Sequence, residues 1–272
     1  MKRLLLVLLA AAPCWGAISA DEIVRRSVAG TLADWAASPH YSFTEKDVTG
    51  SGGSLTTKTY RVMMIAGSPY NKLIAMNGEP LSPKQAAEQD RKLQAEIERR
   101  NHETSREREK RVSAYENERR QDHALLREMA NAFTYRLSGE ETVNGRKCYV
   151  LDAEPKPGYR PPDRDTKVLT GMRGKMWVDE QQFRWAKVHA EVFRPVTYGL
   201  FIARVRPGTE FSLEERPLPS GIWLPSHFSV KVRARILILS RNSTDDETYS
   251  NYRPAIADAA LAHHAPPAGS QR

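Results

Sequence analysis

The 272-residue chain is almost without cysteine. Cys14 and Cys148 are the only two, so the disulfide framework that supports many small exported domains is excluded. Long apolar runs are also missing: the longest, Leu4–Ala12, is roughly half of the ~20 residues that a spanning helix needs. Charge of one sign is not in strong excess. The 41 Lys and Arg against 33 Asp and Glu leave a formal +8, to which Lys2 and Arg3 contribute without any acid nearby. A mild excess spread along the chain is not the basic stripe of a nucleic-acid binder, and no nucleic-acid partner is expected. No internal repeat is visible.

Catalytic and metal motifs are missing too. There is no His-Glu-x-x-His; His40, His102, His123, His189 and His227 stand singly, and the pair His263-His264 lies near the C-terminus. No Gly-x-Ser-x-Gly is present. Gly171-Met172-Arg173-Gly174-Lys175 has too short a glycine spacing for a phosphate loop, and Met176 stands where Ser or Thr would bind magnesium, so a hairpin is expected there. Neither cofactor nor metal is expected, and the chain reads as a non-enzyme.

Among the features present, the N-terminus comes first. Lys2-Arg3, the apolar run, a polar break and the small residues Ser19 and Ala20 read as a signal peptide over 1–20, with cleavage before Asp21. Pro13 before Cys14 does not suit lipidation. The expectation is a periplasmic or otherwise exported protein, soluble after cleavage and peripheral to a membrane at most. Cys148, in Lys147-Cys148-Tyr149-Val150-Leu151, has no evident base beside it and reads as a small buried hydrophobe.

Val24, Val28, Leu32 and Trp35 recur at helical spacing over Asp21–Ser38, and Pro39 ends that helix. Strands follow at Tyr41–Val48, Leu55–Ala66 and Lys72–Met76, the last closed by Asn77-Gly78. From Pro83 to about Asn131 there is no further Gly or Pro, and Lys84–Glu128 holds 12 basic and 11 acidic residues, a mixture that supports a solvated helix. Glu98–Arg111 has no apolar residue. Two helices, or one long one, are expected there, with the centre projecting into water.

The strand pattern returns at Phe133–Leu137, Glu141–Val143 and Lys147–Ala153, with a hairpin signal at Asn144-Gly145. Lys167–Asp179, Phe183–Phe193, Leu200–Arg206, Thr209–Glu215 and Ile222–Leu239 complete the sheet, with a last strand ending near Tyr252. Phe228, Val230, Val232, Ala234, Ile236 and Ile238 share one face of their strand, as do Ala186, Val188, Ala190 and Val192 on theirs. Residues 254–272, rich in Ala, Pro and His, are expected to form a disordered tail. The acids Asp163 with Asp165, and Asp245-Asp246-Glu247, read as surface loops rather than acid and base pairs. Trp177, Trp185 and Trp223 read as core.

Four short segments carry a resemblance: Asp21-Glu22-Ile23-Val24-Arg25-Arg26, Gly67-Ser68-Pro69-Tyr70-Asn71-Lys72-Leu73, Gly174-Lys175-Met176-Trp177-Val178-Asp179 and Gly221-Ile222-Trp223-Leu224-Pro225. In this order, after an N-terminal helix and with a helical insertion behind the third strand, they resemble the LolA-like group. That group includes the lipoprotein carriers LolA and LolB and the lipid-sensing domain of RseB. The resemblance implies an α+β, mainly β fold over 21–253: a curved antiparallel sheet, an open half-barrel, covered by the N-terminal helix and a charged insertion at 83–131. It further implies an apolar concave face that holds the acyl chains of a lipid or lipidated protein. The candidate cavity residues are then Phe228, Val230, Val232, Ala234, Ile236, Ile238, Ala186, Val188, Ala190 and Val192, with Val24, Val28, Leu32 and Trp35 on the lid. The alternative is an envelope interaction or sensor module that docks a protein partner through residues 98–111.

Overall fold

The computed structural model of the chain describes residues 18–51, 53–198, 203–236 and 239–255. Most of the expected signal peptide, nearly all of the expected tail, and Ile238 lie outside the described residues.

Helix α1 (Ala20–Ala37) starts where the Ser19 hydroxyl accepts a hydrogen bond from the Glu22 N–H, with Asp21 and Glu22 at the positive end of the helix. It gives way to a single 3₁₀ turn at Ser38–His40, where Pro39 cannot continue the ladder. Strands β1 (Tyr41–Ser51), β2 (Ser54–Ile65), β3 (Ser68–Met76) and the short β4 (Glu79–Pro80) follow, then helices α2 (Pro83–Asn101) and α3 (Ser105–Ala132). The rest is strand: β5 (Phe133–Val143), β6 (Arg146–Pro155), β7 (Met172–Asp179), β8 (Trp185–Val192), β9 (Val196–Tyr198), β10 (Ala203–Val205), β11 (Glu210–Pro217), β12 (Trp223–Ile236) and β13 (Leu239–Pro254).

All of the pairings are antiparallel. The strand order is β4-β3-β2-β1-β13-β12-β11-β8-β7-β6-β5, with β10 branching from β12 and β9 from β10. The sheet is curved and does not close, leaving β4 and β5 as its edges. Asn77-Gly78 and Asn144-Gly145 make their hairpins with positive φ at both central residues, as the sequence predicts.

Two expected strand features are corrected. Lys167–Gly171 is not strand but part of a 3₁₀ turn at Thr166–Gly171, because the Asp163 carboxylate accepts from both N–H and Oγ1 of Thr166, at 2.8 and 2.9 Å. Gly171–Lys175 is not a hairpin either. Gly171 ends that turn and Gly174 lies inside β7, where a Cβ would stand 2.2 Å from the carbonyl oxygen of His189 on β8.

α1 packs on the inner face of β5–β8 and β11. Ile23, Val24 and Val28 join Phe133, Tyr135, Leu151, Met176, Val178, Trp185, Val188 and Leu213 in the main core. The fully buried Trp185 indole donates to Ser27 Oγ at 3.1 Å, which ties helix to sheet without an unpaired donor. Arg184 pairs with Asp34 and lies directly against Gly30, where any side chain would collide with the guanidinium. On the outer face, Cys148, Ala186 and Trp223 form a smaller cluster, and Arg146 stacks 5.2 Å over Trp223 while pairing with buried Asp179.

The insertion packs on the sheet at both ends, and its centre is largely in water: of residues 98–111 all but Arg100, Glu103 and Arg111 are exposed. Capping boxes at Ser82 and Thr104 start its two helices, and the pair straddles the β2–β3 turn. On the outer face, Leu93 and Ile97 of α2 pack on Met63, Ile65 and Tyr70. On the inner face, Leu126 of α3 enters the main core. The connection between them, expected to project into water, is mostly exposed but is anchored to the β2–β3 turn through Arg100, Glu103 and Arg111.

Arg100, only 6% exposed, donates to the carbonyls of Ile65, Ser68 and Pro69 at 2.7, 2.8 and 3.1 Å. Arg111 donates to Ser68 Oγ and Ala66 O and pairs with Glu103. Ala66 and Gly67 turn with positive φ, which leaves carbonyls without ladder partners, and guanidinium forks satisfy them. The anchoring of this charge-rich, Gly-free run is missed in the sequence because its partners are backbone atoms invisible to hydropathy.

Replacing Arg100 by Ala strands three carbonyls and is expected to cost about 2–4 kcal/mol. Amide exchange should rise in the β2–β3 turn and at the α2–α3 junction. The exposed Arg106→Ala is the control, with a change within about 0.5 kcal/mol; equal effects from the two would refute the clamp.

Candidate functional site

The expected cavity residues do not share one environment. Val188, Val24 and Val28 lie in the main core, where Val24, Val28 and Leu32 also line a hollow of about 550 Å³ between α1, α3 and β5, and Val192 is fully buried. A register shift between Trp177 and Val178 opposite β8 breaks its alternation, so Ala186 falls with Cys148 and Trp223 on the outer face while Trp185 and Val188 point inward. Phe228 packs edge-on against Phe211, with centroids 5.4 Å apart, at the border of the core. Beyond it Ala190, Val230, Val232 and Ala234 are half-buried. Ile236 ends β12. Leu32 is half-buried against the core, and Trp35 lies where the core stops.

Next to Trp35 is a chamber of about 500 Å³. Its roof is the end of α1 (Trp35, Ser38) and one face of α3 (Tyr115, Glu118, Arg119), and its floor is the inner face of β1–β3, β12 and β13. Of the twelve residues expected in the cavity and lid whose side chains are described, only Trp35 lines it.

Rings dominate the wall. Phe43 touches Tyr249 edge-on at 5.7 Å and Tyr252 at 5.3 Å. Tyr249 and Tyr252 are three apart and would point to opposite faces of a regular strand. Both point inward because the register shifts between Ser42 and Thr44 opposite a bulge that contains Asn251 at φ 54°. Asn is one of the few side chains that tolerate that conformation. Tyr252 donates to Pro225 O at 2.7 Å. Arg119 holds the roof together: it donates to the Trp35 carbonyl at the α1 C-terminus, pairs with Glu116 and stacks on Tyr115.

Carboxyl groups share this inner face. Glu45 lines the chamber, and burial, with Glu247, Asp47 and Asp245 nearby, pushes it up to about 7. Asp47 rises to about 6 through burial and its contact with Asp245. Beside the chamber, Glu215 of β11 is 1% exposed and accepts from the Trp35 indole at 3.3 Å, while its other oxygen has no partner. Burial raises Glu215 to about 8, so at neutral pH it is a protonated acid.

Asp163, by contrast, is committed to capping Thr166. The acids of 245–247 are in strand β13 and not in a surface loop, with Asp245 and Glu247 in register with β1 residues of the inner face. Among the described residues no group of three or more His, Cys, Asp or Glu is arranged to hold a metal ion, and no helix is long and apolar enough to cross a membrane.

The sequence reading passed over this chamber because its ring residues alternate with, or stand beside, charge: Tyr41, Phe43, Glu45 and Asp47 on β1, Glu247, Tyr249 and Tyr252 on β13. An available signal was the spacing Tyr249-Ser250-Asn251-Tyr252, in which Asn between two tyrosines fits a bulge.

The raised acids set a pH dependence. An unfolded chain loses the Glu215 proton near 4.5, whereas the folded chain keeps it to about 8. Stability from this group is whole below pH 4.5 and declines as pH rises to about 8. The denaturation midpoint should therefore fall between pH 5 and 8.5, by on the order of 3 kcal/mol in stability, and Glu215→Gln should flatten that slope. An unchanged slope in the variant would refute the assignment.

No family model matches the sequence, and no curated protein matches it. Solved structures do. The chain is similar to LolA superfamily protein NE2245 from Nitrosomonas europaea, at 11% identity and a TM-score of 0.32, over 88% of this chain and 94% of that one. It is similar to an outer membrane lipoprotein-sorting protein domain from Vibrio parahaemolyticus, at 8% identity and a TM-score of 0.35, over 85% and 93%. It is also similar to a chain in the Pseudomonas aeruginosa MucA/MucB complex, at 12% identity and a TM-score of 0.21, over 84% and 98%.

Proposed function

We propose that this protein is an exported, periplasmic binding protein that takes up the acyl part of a lipid or lipidated polypeptide in the chamber under α1 and α3. The observation that carries the reading is the chamber itself: about 500 Å³, walled by aromatic rings, beside the main core. Its size falls in the range of small-molecule sites. An acyl chain laid on Phe43, Tyr115, Tyr249 and Tyr252 gains about 0.8 kcal/mol per buried methylene.

The roof is suited to opening. Its polar contacts across the chamber include Arg119 to the Trp35 carbonyl and the Trp35 indole to Glu215. Displacing it gives up the packing of Leu32 and Trp35 on the core and the Arg184–Asp34 pair, while Ile23, Val24 and Val28 stay packed at the other end of α1. Uptake and release by tilting the end of α1 away from α3 is the mechanism this geometry supports. It asks for binding and handover and involves no bond breaking, so the reading is of a carrier, not an enzyme.

The reading as a partner-docking arm is weakened at Glu98–Arg111, since Arg100, Glu103 and Arg111 are spent on the β2–β3 turn. What it leaves outward is the first turn of α3, including Arg106, Arg108 and Glu109.

The chain, produced with its leader and purified from an envelope fraction without detergent, should show a lipid of defined mass in native mass spectrometry that leaves on denaturation. Met64→Trp, which fills the chamber from β2, should lower occupancy at least fivefold without lowering the melting temperature by more than a few degrees. A clean apo mass, together with no uptake of phospholipid or acylated peptide by the unaltered protein, would overturn the proposal.

A further inference from the structure

The chamber does not end at its aromatic wall. On the same inner face β1 continues from Glu45 to Asp47, and β13 sets Glu247 opposite Asp47 and Asp245 opposite Thr49. Four carboxyl groups therefore run along the inner face from the mouth of the chamber. On one side of them lies β12, with Phe228 in register with Glu247 and Val230 with Asp245. On the other lies β2, with Tyr60 in register with Glu45 and Lys58 with Asp47.

This strip is poorly compensated. Lys58 is the one cation that register places beside the acids among the described side chains of β1, β2, β12 and β13 that share their face. Arg119 of α3, at the chamber roof, is committed to Glu116 and the Trp35 carbonyl. Glu247 accepts from the Tyr249 hydroxyl. One oxygen of Asp47 and one of Asp245 are buried with no hydrogen-bond partner.

A second, independent observation lies beside the chamber, against its roof residue Trp35. Glu215 is 1% exposed, stands in register with chamber residue Pro225, bonds through one oxygen to chamber residue Trp35, and leaves its other oxygen unpartnered. Buried carboxyl oxygens without partners are costly. Those of Asp47 and Asp245, along one ring-lined hollow, are complementary to a ligand that brings positive charge, while the free oxygen of Glu215, protonated at neutral pH, leaves a polar group unanswered beside the chamber; ring faces also attract cations.

We propose that the chamber and the acid strip form one site for a cationic amphiphile: an acyl or alkyl chain in the chamber, and an ammonium or protonated amine over Glu45, Asp47, Asp245 and Glu247. This rests on the acyl-binding reading above and adds the charge of the head group. The roof residues Glu118, Tyr115 and Trp35 contribute no competing cation. An anionic head would meet four acids and Lys58.

The test compares dodecyltrimethylammonium, dodecyl maltoside and dodecyl sulfate below their micelle concentrations at pH 8, followed by calorimetry and by tryptophan fluorescence. Tetramethylammonium, a head without a chain, is the fourth probe. The ammonium amphiphile is expected to bind at least tenfold more tightly than the maltoside and to exceed the sulfate by more, while tetramethylammonium binds weakly or not at all.

The double variant Asp47→Asn, Asp245→Asn, at two strip residues that do not line the chamber, removes charge repulsion and should fold at least as stably as the unaltered chain. It should erase most of the ammonium preference and leave the maltoside affinity within twofold. Equal affinities for all three head groups, or an ammonium preference untouched in the double variant, would overturn the cationic assignment while leaving acyl binding intact. Binding of tetramethylammonium as tight as that of the amphiphile would overturn the joint site. Failure of every chain-bearing probe would remove both proposals.

Discussion

An open, curved sheet exposes one concave apolar face, and everything else in this protein depends on how that face is covered. Over β5–β8 and β11 the cover is α1, and the contact is specific as well as greasy. The Trp185 indole needs an acceptor when fully buried, and Ser27 supplies it; Arg184 needs room beside Asp34, and Gly30 supplies that. Together these fix the helix in rotation and translation, so Ile23, Val24 and Val28 enter the main core.

The same constraint produces the chamber. α1 stops at Ser38-Pro39 before it reaches β1 and β13, so the inner face there depends on α3 for a roof. α3 can reach it because the helical pair is folded around the β2–β3 turn, α2 outside and α3 inside, with Arg100 and Arg111 holding the carbonyls of the turn. A charged connection is suited to this task, since guanidinium groups satisfy several backbone acceptors at once where an apolar side chain would leave them bare. The hollow exists because two covers, arriving from opposite ends of the sheet, meet without filling the space between them.

The inner face therefore has two sectors of different chemistry. Val188, Leu213, Phe211 and Phe228 make an apolar sector under or beside α1. Glu45, Asp47, Asp245 and Glu247 make an acidic one on β1 and β13, with the aromatic chamber at the boundary. Burial within this second sector raises Glu45 and Asp47, which makes it a part of the inner surface responsive to pH and to ligand charge.

Much of this was legible in the sequence, and the remainder has a definite physical reason for being hidden. Periodicity and punctuation determined the helix at α1, the long strands, the Asn-Gly hairpins and the helical character of 83–131, because these are set by spacings of 3.6 and 2 and by residues that tolerate positive φ. They also identified Val24 and Val28 as inward-facing. What they could not reveal were features defined between elements. The bulge opposite Trp177 sends Ala186 outward; the bulge at Asn251 turns two tyrosines to one face; and the run Glu98–Arg111, solvated by composition, has its partners in the carbonyls of residues 65–69. Local pattern encodes which face a residue prefers within one element. Which carbonyl lacks a partner, where a cover helix ends over a distant strand, and whether a face is filled or hollow are properties of the assembled layers, so only the tertiary structure decided them.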